Sequence, residues 1–449
     1  MRSDAGKNPK REFGARRRRD AGKAPASSVA ERVLHESSSL LERWEGGITL
    51  DDLLDSLGKE DPEVMECKKI ISSLLFTYFR HKEWIDLLAR RFTRQETDKA
   101  IFRILVCTIT QALFQTKIAP ESAVNVAVDY ARKRFKKGPS GFVNAVLRRA
   151  LQKGREELEK GGEEISFPVP SLMRKRWEER FGSEQLAGIL DKMRFAPPSC
   201  FRARANVPEA LLAESGSQLL EDLPFSTPCR FYSCRDLGVL LKERLPEKGV
   251  IYIQDPATAF ALSLVPEKAF SGAVLDACAA PGGKTLLMAE RTSDKGAKIL
   301  ACDRSPRRVR RMEKNFSAAG LKVRTRVQDA CKGELPQASF DLVLADVPCS
   351  NTGVGGRRPD APWRFSLAIL QEVCALQKNI LESLAPLVKE GGFLLYSTCS
   401  IEEEEDSGQI RSFCETHKEF TLVKEALLLP EGAHDGAYAA LLQRRENPL

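Results

Sequence analysis

The sequence predicts a multidomain protein: an all-α bundle, then a small α+β domain, then an α/β domain on a Rossmann-like parallel sheet. Three observations predict this. Helical periodicity without strand signals fills residues 28–155, short strand and helix signals mix through 166–265, and apolar strand-like runs alternate with helical stretches over 266–449. A chain of 449 residues has room for two or three domains, and 42% apolar residues support cores of ordinary size.

Residues 1–27 are expected to form a disordered basic tail. Nine Lys or Arg against three acids over residues 1–26 give it +6 of the chain's +8. It contains Gly, Ala and Pro and a single aromatic residue, too little to build a core. Such a tail can condense onto RNA phosphates or merely solubilise the chain, and the sequence weighs the two equally. No apolar run is long enough for a membrane span, and no secretory apolar segment follows the N-terminus. A cytoplasmic protein with no membrane partner is expected. The twelve cysteines contain no CxxC pair, and the four histidines (His35, His81, His417 and His434) are scattered. Reduced thiols and no metal site are expected.

The bundle is read from helix signals. Ser28 can cap a helix bearing Val29, Val33, Leu40 and Leu41, Asp61-Pro62-Glu63 starts another carrying Ile70, Ile71, Leu74, Leu75 and Phe79, and Ile85, Leu87 and Leu88 continue the pattern. Ile101, Leu105, Ile109 and Leu113 follow at helical spacing. Ala119-Pro120-Glu121 opens a small-residue helix, and Gly141 to Arg149 (GFVNAVLRR) closes the set. Arg132, Lys133, Arg134, Lys136, Lys137, Arg148 and Arg149 form either an RNA-facing patch or a solvated helical face.

A charged, glycine-rich stretch over 151–165 and then Phe167-Pro168-Val169-Pro170 mark the boundary to the middle domain. Helices over Leu172–Phe181 and Gln185–Phe195 and strands over 200–203 and 249–253 are expected there. Arg194, Arg202 and Arg204 are open between RNA contact and plain surface charge.

The last domain is organised around AVLDACAAPGGKT, Ala273 to Thr285. Val274 and Leu275 belong to a strand, Cys278-Ala279-Ala280-Pro281-Gly282-Gly283 to a small-residue turn, and Lys284 to a helix start. This aims backbone amides at a ligand beyond the strand's carboxyl end. A Walker A phosphate loop needs a glycine where Cys278 stands, so the GGKT ending does not make one. A second strand, 298–303, ends in Asp303 about 20 residues past the glycines, where an acid takes a ribose hydroxyl. A nucleoside ligand without a phosphate loop points to S-adenosylmethionine (SAM), against the plainer reading of an ordinary βα turn. Further strands are expected over 321–328, 340–346 and 391–397, with antiparallel edge strands over 420–423 and 437–442.

Two of those strands end in cysteine: Asp346-Val347-Pro348-Cys349-Ser350 and Ser397-Thr398-Cys399-Ser400. Each thiol stands just past a buried run, at the sheet edge that carries the glycine turn. A thiolate suits addition to carbon 6 of a pyrimidine, which makes carbon 5 nucleophilic toward the methyl group of SAM. A free thiol with pKa near ~8.5 needs activation for this. Asp346 can hydrogen-bond the base edge and meet the developing charge. The bland alternative is two small buried hydrophobes, and nothing in the residues alone says which cysteine attacks.

DACAAPGGKT, ADVPCSNTG and YSTCS together resemble the RNA cytosine methyltransferases that form 5-methylcytosine, and the helical part ending GFVNAVLRR is similar to a NusB-type RNA-binding domain. The combination, from about residue 28 to the end, resembles the RsmB/Sun (Fmu) family acting on 16S ribosomal RNA. The resemblance implies a NusB-like domain over 28–155 and a SAM-dependent methyltransferase domain over 266–449. It implies Cys399 as nucleophile, Cys349 as the group assisting product release and Asp346 between SAM and cytosine. Residues 278–284 would line the SAM site, Asp303 would hold the ribose, and Asp329 would sit near the adenine. DNA cytosine methyltransferases use the PC-motif cysteine as nucleophile, which makes the reverse order the natural rival. The family's RRHPDIKW stretch here reads GRRPDAPW, with Pro362 in the place of a lysine and Arg357 and Arg358 beside it. PEEN becomes Glu403-Glu404-Glu405-Asp406, and the C-terminal DGFF-like motif becomes Asp435-Gly436-Ala437-Tyr438. A monomer is expected, with small-subunit rRNA as partner and tRNA as the rival substrate. A nucleotide hydrolase and a non-catalytic RNA-binding factor are the readings from other classes.

Overall fold

The computed structural model describes residues 28–446 except 60, 94–95, 116–117, 136–137, 162–165, 293–297 and 333. The expected basic tail, Lys136 and Lys137 therefore lie outside the described residues.

Seven helices form the bundle: α1 (Val29–Glu45), α2 (Leu50–Ser56), α3 (Pro62–Arg80), α4 (Lys82–Arg91), α5 (Lys99–Phe114), α6 (Pro120–Arg134) and α7 (Pro139–Gly161). Their starts follow the expected chemistry. The Ser28 hydroxyl accepts the Glu31 amide at 3.2 Å, and the Asp61 carboxylate accepts the amides of Glu63 and Val64 ahead of α3, whose first residue is Pro62. Leu74, Phe79, Ile85, Leu105, Ile109, Ala127 and Leu147 meet in one apolar core, whereas Val29, Ile70 and Leu87, expected on the same faces, are exposed. Helix α5 runs through its centre, and even its Thr108 and Thr110 are buried, each hydroxyl donating to the carbonyl four residues back.

Helix α8 (Ser171–Arg194) is the two expected helices in one, broken at Gly182, whose φ of 79° only glycine adopts cheaply. A four-stranded antiparallel sheet follows in the order β2 (Gln218–Leu219), β3 (Arg230–Cys234), β1 (Ser199–Ala203), β4 (Ile251–Ile253). The sequence reading omitted β2 and β3. Arg202 is buried in β1 and, with Arg204, pairs with Glu290 on α12 (Gly283–Thr292). Arg204 also donates to the carbonyls of Gly249 and Ala319 at 2.8 Å. Of the two uses left open for these arginines neither holds: they tie the small sheet to the last domain.

That domain is a seven-stranded sheet in the order β10–β11–β9–β8–β5–β6–β7. Strands β5 (Ala273–Asp276), β6 (Lys298–Asp303), β7 (Arg324–Val327), β8 (Phe340–Asp346) and β9 (Val388–Thr398) are parallel. Strand β7 is shorter than the expected 321–328 because Leu321 and Val323 pack beneath the sheet in the turn before it. Strands β10 (Phe420–Leu428) and β11 (Ala437–Arg444) are antiparallel as expected, but only β10 is an edge, since β11 lies between it and β9. Helices α11 (Ala257–Ser263), α12 and α13 (Pro306–Ala318), and α15 (Leu367–Leu384) and α16 (Ser407–Thr416), cover the sheet; α9 (Glu209–Glu214), α10 (Leu237–Lys242) and α14 (Ala361–Arg364) are single short turns. Strand order reverses between β5 and β8, which opens a crevice at their carboxyl ends. No helix among the described residues is long and apolar enough to cross a membrane.

Candidate active site

The turn after β5 is built as its residues dictate. The Ala279 amide donates to the Cys302 carbonyl at 2.8 Å, and Gly282 closes on the Ala279 carbonyl at 2.7 Å. Gly282 has φ of 104°, and a Cβ there would stand 2.8 Å from Phe316 Cε1, so only glycine fits. The amides of Gly283 and Lys284, which open α12, find no backbone acceptor, as the first turn of a helix requires. Ala279 and Ala280 are buried, Cys278 is half-buried and Pro281 is exposed. Asp276 is buried at the end of β5 and accepts the Thr285 hydroxyl at 2.6 Å; burial raises its pKa to about 7. Burial also pushes the Cys278 thiol up, with Asp276 adding to the effect.

The candidate nucleoside acids lie side by side. Asp303 ends β6 and its carboxylate accepts the Ser305 amide at 2.9 Å and meets Arg308 at 2.9 Å. Arg308 reaches on to the Ala280 carbonyl at 2.6 Å, so Asp303 and the turn face one another across a single side chain. The amide of Gln328 donates to the Asp303 carbonyl at 3.1 Å, which sets Asp329 next to it. The Gln328 Oε1 and Asp276 Oδ1 atoms are buried without a hydrogen-bond partner. Acceptors at the ends of three neighbouring strands, two of them unsatisfied, fit the hydroxyls and amino group of the adenosyl part of SAM.

The two cysteines meet at the other side of the crevice. Asp346 of β8 is in register with Ser397 of β9, so the chain leaves both parallel strands at one level. Cys349 and Cys399, both half-buried free thiols, stand with sulfurs 3.1 Å apart. Cys399 Sγ also donates to Asn351 Oδ1 at 3.2 Å. Lys284 Nζ lies 2.9 Å from Asp346 Oδ2. Burial works against the ammonium, but the Asp346 carboxylate outweighs it and holds the Lys284 pKa above the usual range. The Cys399 thiol is pulled down by the hydrogen bond from Cys349; burial opposes this, Arg358 and Lys284 assist it, and Asp346 opposes it. Cys349 is pushed up in turn by the same bond and by burial. The two thiols are thus driven in opposite directions, Cys399 down and Cys349 up.

A buried carboxylate that the sequence reading passed over ties the two turns together. Glu405 accepts the Ser350 amide at 2.9 Å, the Ser400 hydroxyl at 2.8 Å, the Gln377 side chain at 2.9 Å and the Ser350 hydroxyl. Its neighbours are buried as well: Glu402 binds Trp177 Nε1 at 2.7 Å and Arg176, and Asp406 accepts the Thr398 hydroxyl at 2.9 Å. The departures near Pro362 also find places. Pro362 is buried in α14 and Arg357 is spent on Asp255 and Asp435, so neither replaces an RNA-facing lysine; Arg358 alone reaches toward the thiols. Asn351 and Asp51, which contact this group, carried no sequence signal beyond their position near a motif or in a helix.

Among the described residues no group of three or more His, Cys, Asp or Glu side chains is placed to hold a metal ion.

Residues 261–445 match the family model described as 16S rRNA methyltransferase RsmB/F, and residues 38–152 match the NusB family. The last domain is an RsmB/F-family methyltransferase domain, and the bundle is a NusB-family domain. Among curated relatives, the probable ribosomal RNA small subunit methyltransferase B of Bacillus subtilis is 28% identical, covering 82% of this chain and 84% of its own. The ribosomal RNA small subunit methyltransferase B of Yersinia enterocolitica is 29% identical over 93% of this chain and 98% of its own. Among solved structures, PH0851 matches 94% of this chain and all of its own at TM-score 0.72 and 23% identity. NSun6 from Pyrococcus horikoshii with SFG matches 62% of this chain and 99% of its own at TM-score 0.52 and 19% identity. These two likenesses concern the fold. The chain thus joins a SAM-dependent methyltransferase domain of the RsmB/F type to a NusB-family domain.

Proposed function

We propose that this protein methylates carbon 5 of a cytosine in small-subunit ribosomal RNA through a covalent bond to Cys399. The observation that carries the reading is the thiol pair, sulfurs 3.1 Å apart beside the Lys284–Asp346 ion pair. The Cys399 thiolate adds to carbon 6, and the electron pair of the 5,6 double bond moves toward the ring nitrogen and carbonyl. The Asp346 carboxylate, held by Lys284, accepts from the amino group of the base edge, and the Lys284 ammonium beside it offsets the charge that develops there. Residues 278–284, Asp303 and Asp329 would hold SAM, which would supply an electrophilic methyl group: carbon 5 would bond to that methyl as its bond to sulfur breaks, leaving S-adenosylhomocysteine. Carbon 5 then gives its proton to a base in the crevice. The 5,6 bond reforms, and the carbon–sulfur bond breaks toward Cys399. The Cys349 thiol, kept protonated, donates its hydrogen bond to the departing sulfur and makes it a better leaving group.

The target base leaves its stack to reach the crevice. The division into residues 28–155, 166–265 and 266–449 belongs to the same reading, with the NusB-family bundle presenting RNA through Arg132, Lys133, Arg134, Arg148 and Arg149. The relatives named small subunit methyltransferase B support the rRNA substrate, and a cytoplasmic monomer is the form in which we expect it to act. The test is transfer of labelled methyl from SAM to 16S rRNA and, in parallel, to tRNA. Label recovered as 5-methylcytosine in 16S rRNA is expected. Label confined to tRNA overturns the substrate, and label on another atom overturns the mechanism.

A further inference from the structure

Asn351, Arg358 and Asp51 have no part in the chemistry described so far, yet they form a chain from the bundle to the nucleophile. Asn351 sits in the left-handed region at φ of 62° and donates its amide to the Cys349 carbonyl at 2.9 Å. Its Oδ1 accepts from Cys399 Sγ at 3.2 Å and from Arg358 Nη1 at 2.9 Å. Arg358 Nε in turn lies 2.9 Å from Asp51 Oδ2 on α2. Between Gly356 and Trp363 the loop bearing Arg358 is fastened to the bundle at four further points. Arg80 donates to the Gly356 carbonyl at 2.8 Å, and Trp363 Nε1 donates to the Phe79 carbonyl at 2.7 Å. Trp44 Nε1 and the Leu50 amide both donate to Asp360 Oδ2 at 3.2 Å.

We propose that the NusB-family domain takes part in the reaction itself: Asp51 holds Arg358, Asn351 positions the Cys399 thiol, and the Arg358 guanidinium offsets the charge of the Cys399 thiolate. This rests on the reading of Cys399 as nucleophile. The argument is one of geometry and charge. Cys399 is faced by the Cys349 thiol, by two cations, Arg358 and Lys284, and by the Asp346 carboxylate. Lys284 is already committed to Asp346. Arg358, whose own acid Asp51 stands on the bundle, is therefore the cation that offsets the repulsion Asp346 exerts on a thiolate. Asp51 and Asp360 face Arg358, and Asp52 and Asp55 stand near Asp51, so the guanidinium is drawn to the bundle's acidic edge. The Arg358 side chain is 47% exposed, and without Asp51 it is free to swing into water. RNA binding alone gives no reason for the bundle to grip the loop that carries this residue.

The test reads thiol chemistry directly, without RNA. In full-length protein carrying Cys349→Ser, whose hydroxyl still donates to Cys399, the rate of Cys399 alkylation by iodoacetamide is followed across pH by peptide mass spectrometry. Arg358→Gln is expected to raise the midpoint by about one unit and to slow alkylation at neutral pH about tenfold. Arg358→Lys is expected to recover part of the shift, and Asp51→Ala to move the midpoint upward with thermal stability and SAM affinity unchanged. An Arg358→Gln profile identical to that of its parent overturns the proposal. An unmoved or lowered midpoint in Asp51→Ala overturns the part given to the bundle. If Arg358→Gln fails to fold, Arg358→Met is read in its place, and a profile identical to that of its parent overturns the proposal. Failure of the nucleophile reading would show separately, as full methylation by Cys399→Ala.

Discussion

Glu405 is the residue whose loss should most cleanly separate binding from chemistry. Its carboxylate joins Ser350 and Ser400, each next to a cysteine of the thiol pair, and Gln377 on α15. In Glu405→Ala the Ser350 amide and one Gln377 N–H lose a charged acceptor in a buried place; the two hydroxyls can turn elsewhere. A buried donor left unsatisfied costs ~1–3 kcal/mol, so the two together cost about 4 kcal/mol. That is survivable for a protein of ordinary stability, ~5–15 kcal/mol. The turns then relax, and a misplacement of ~1 Å at the reacting atoms costs on the order of a hundredfold in rate. Glu405→Gln keeps an oxygen for the two N–H donors and turns its NH2 to the serines, so it should retain most of the rate. The assay is single-turnover methyl transfer with SAM affinity measured in parallel by calorimetry. Glu405→Ala should lose about a hundredfold in the transfer step and little in SAM binding. Wild-type turnover in Glu405→Ala, or a loss confined to SAM affinity, would refute the reasoning.

Cys399→Ala should abolish both methylation and covalent RNA capture, while Cys349→Ala should accumulate a protein–RNA adduct visible as a retarded band on a denaturing gel; the reverse pattern exchanges the two roles. His81 is buried, stacked on Phe114 and hydrogen-bonded to Ser166, and burial, with Arg80 and Arg194 nearby, lowers its pKa to about 4. The unfolded chain, with a histidine pKa near ~6.5, binds the proton first, so stability is present above that value and falls as the pH drops toward 4. The loss from this group at pH 5 is about 2 kcal/mol, and His81→Gln should flatten that part of a stability–pH curve measured by denaturant titration. Gly282→Ala forces a side chain into a left-handed residue 2.8 Å from Phe316 Cε1 and should cost about 3 kcal/mol together with most of the SAM affinity, read by thermal melting and by titration with SAM.

What could be read from the sequence was what lies close together in it. The β5 turn, Cys278 to Lys284, is set by seven consecutive residues, and the strands ending in Asp346 and Thr398 announce themselves as apolar runs. The helix starts at Ser28, Asp61 and Pro120 depend on one or two side chains each, so they too were legible. Strands β2 and β3 were not, because Gln218–Leu219 is two residues long and Arg230–Cys234 owes its state to pairing with β1. Charge was the more instructive failure. Arg202 and Arg204 look like surface residues until Glu290 is brought to them from α12.

The same reasoning explains why the acidic run Glu402 to Asp406 hid its importance. Four consecutive acids and an aspartate look like a solvated charge run. Glu402, Glu405 and Asp406 are nonetheless buried, and each is acceptable there only because its partners arrive from elsewhere: Trp177 and Arg176 from α8, Gln377 from α15, Ser350 from the turn after β8 and Thr398 from β9. A buried carboxylate without such partners would be prohibitive, so each contact is also a constraint on where its partner can sit. Through Glu405 the constraint falls on Ser350 and Ser400, and through them on the gap between the two sulfurs. Arg358 repeats the logic at longer range, with an acceptor 307 positions earlier in the chain at Asp51. Both cases place the accuracy of the thiol pair in side chains that no local motif contains. The candidate cysteines are thus singled out by their local motifs, while what sets their separation and charge becomes visible only once the domains have folded against one another.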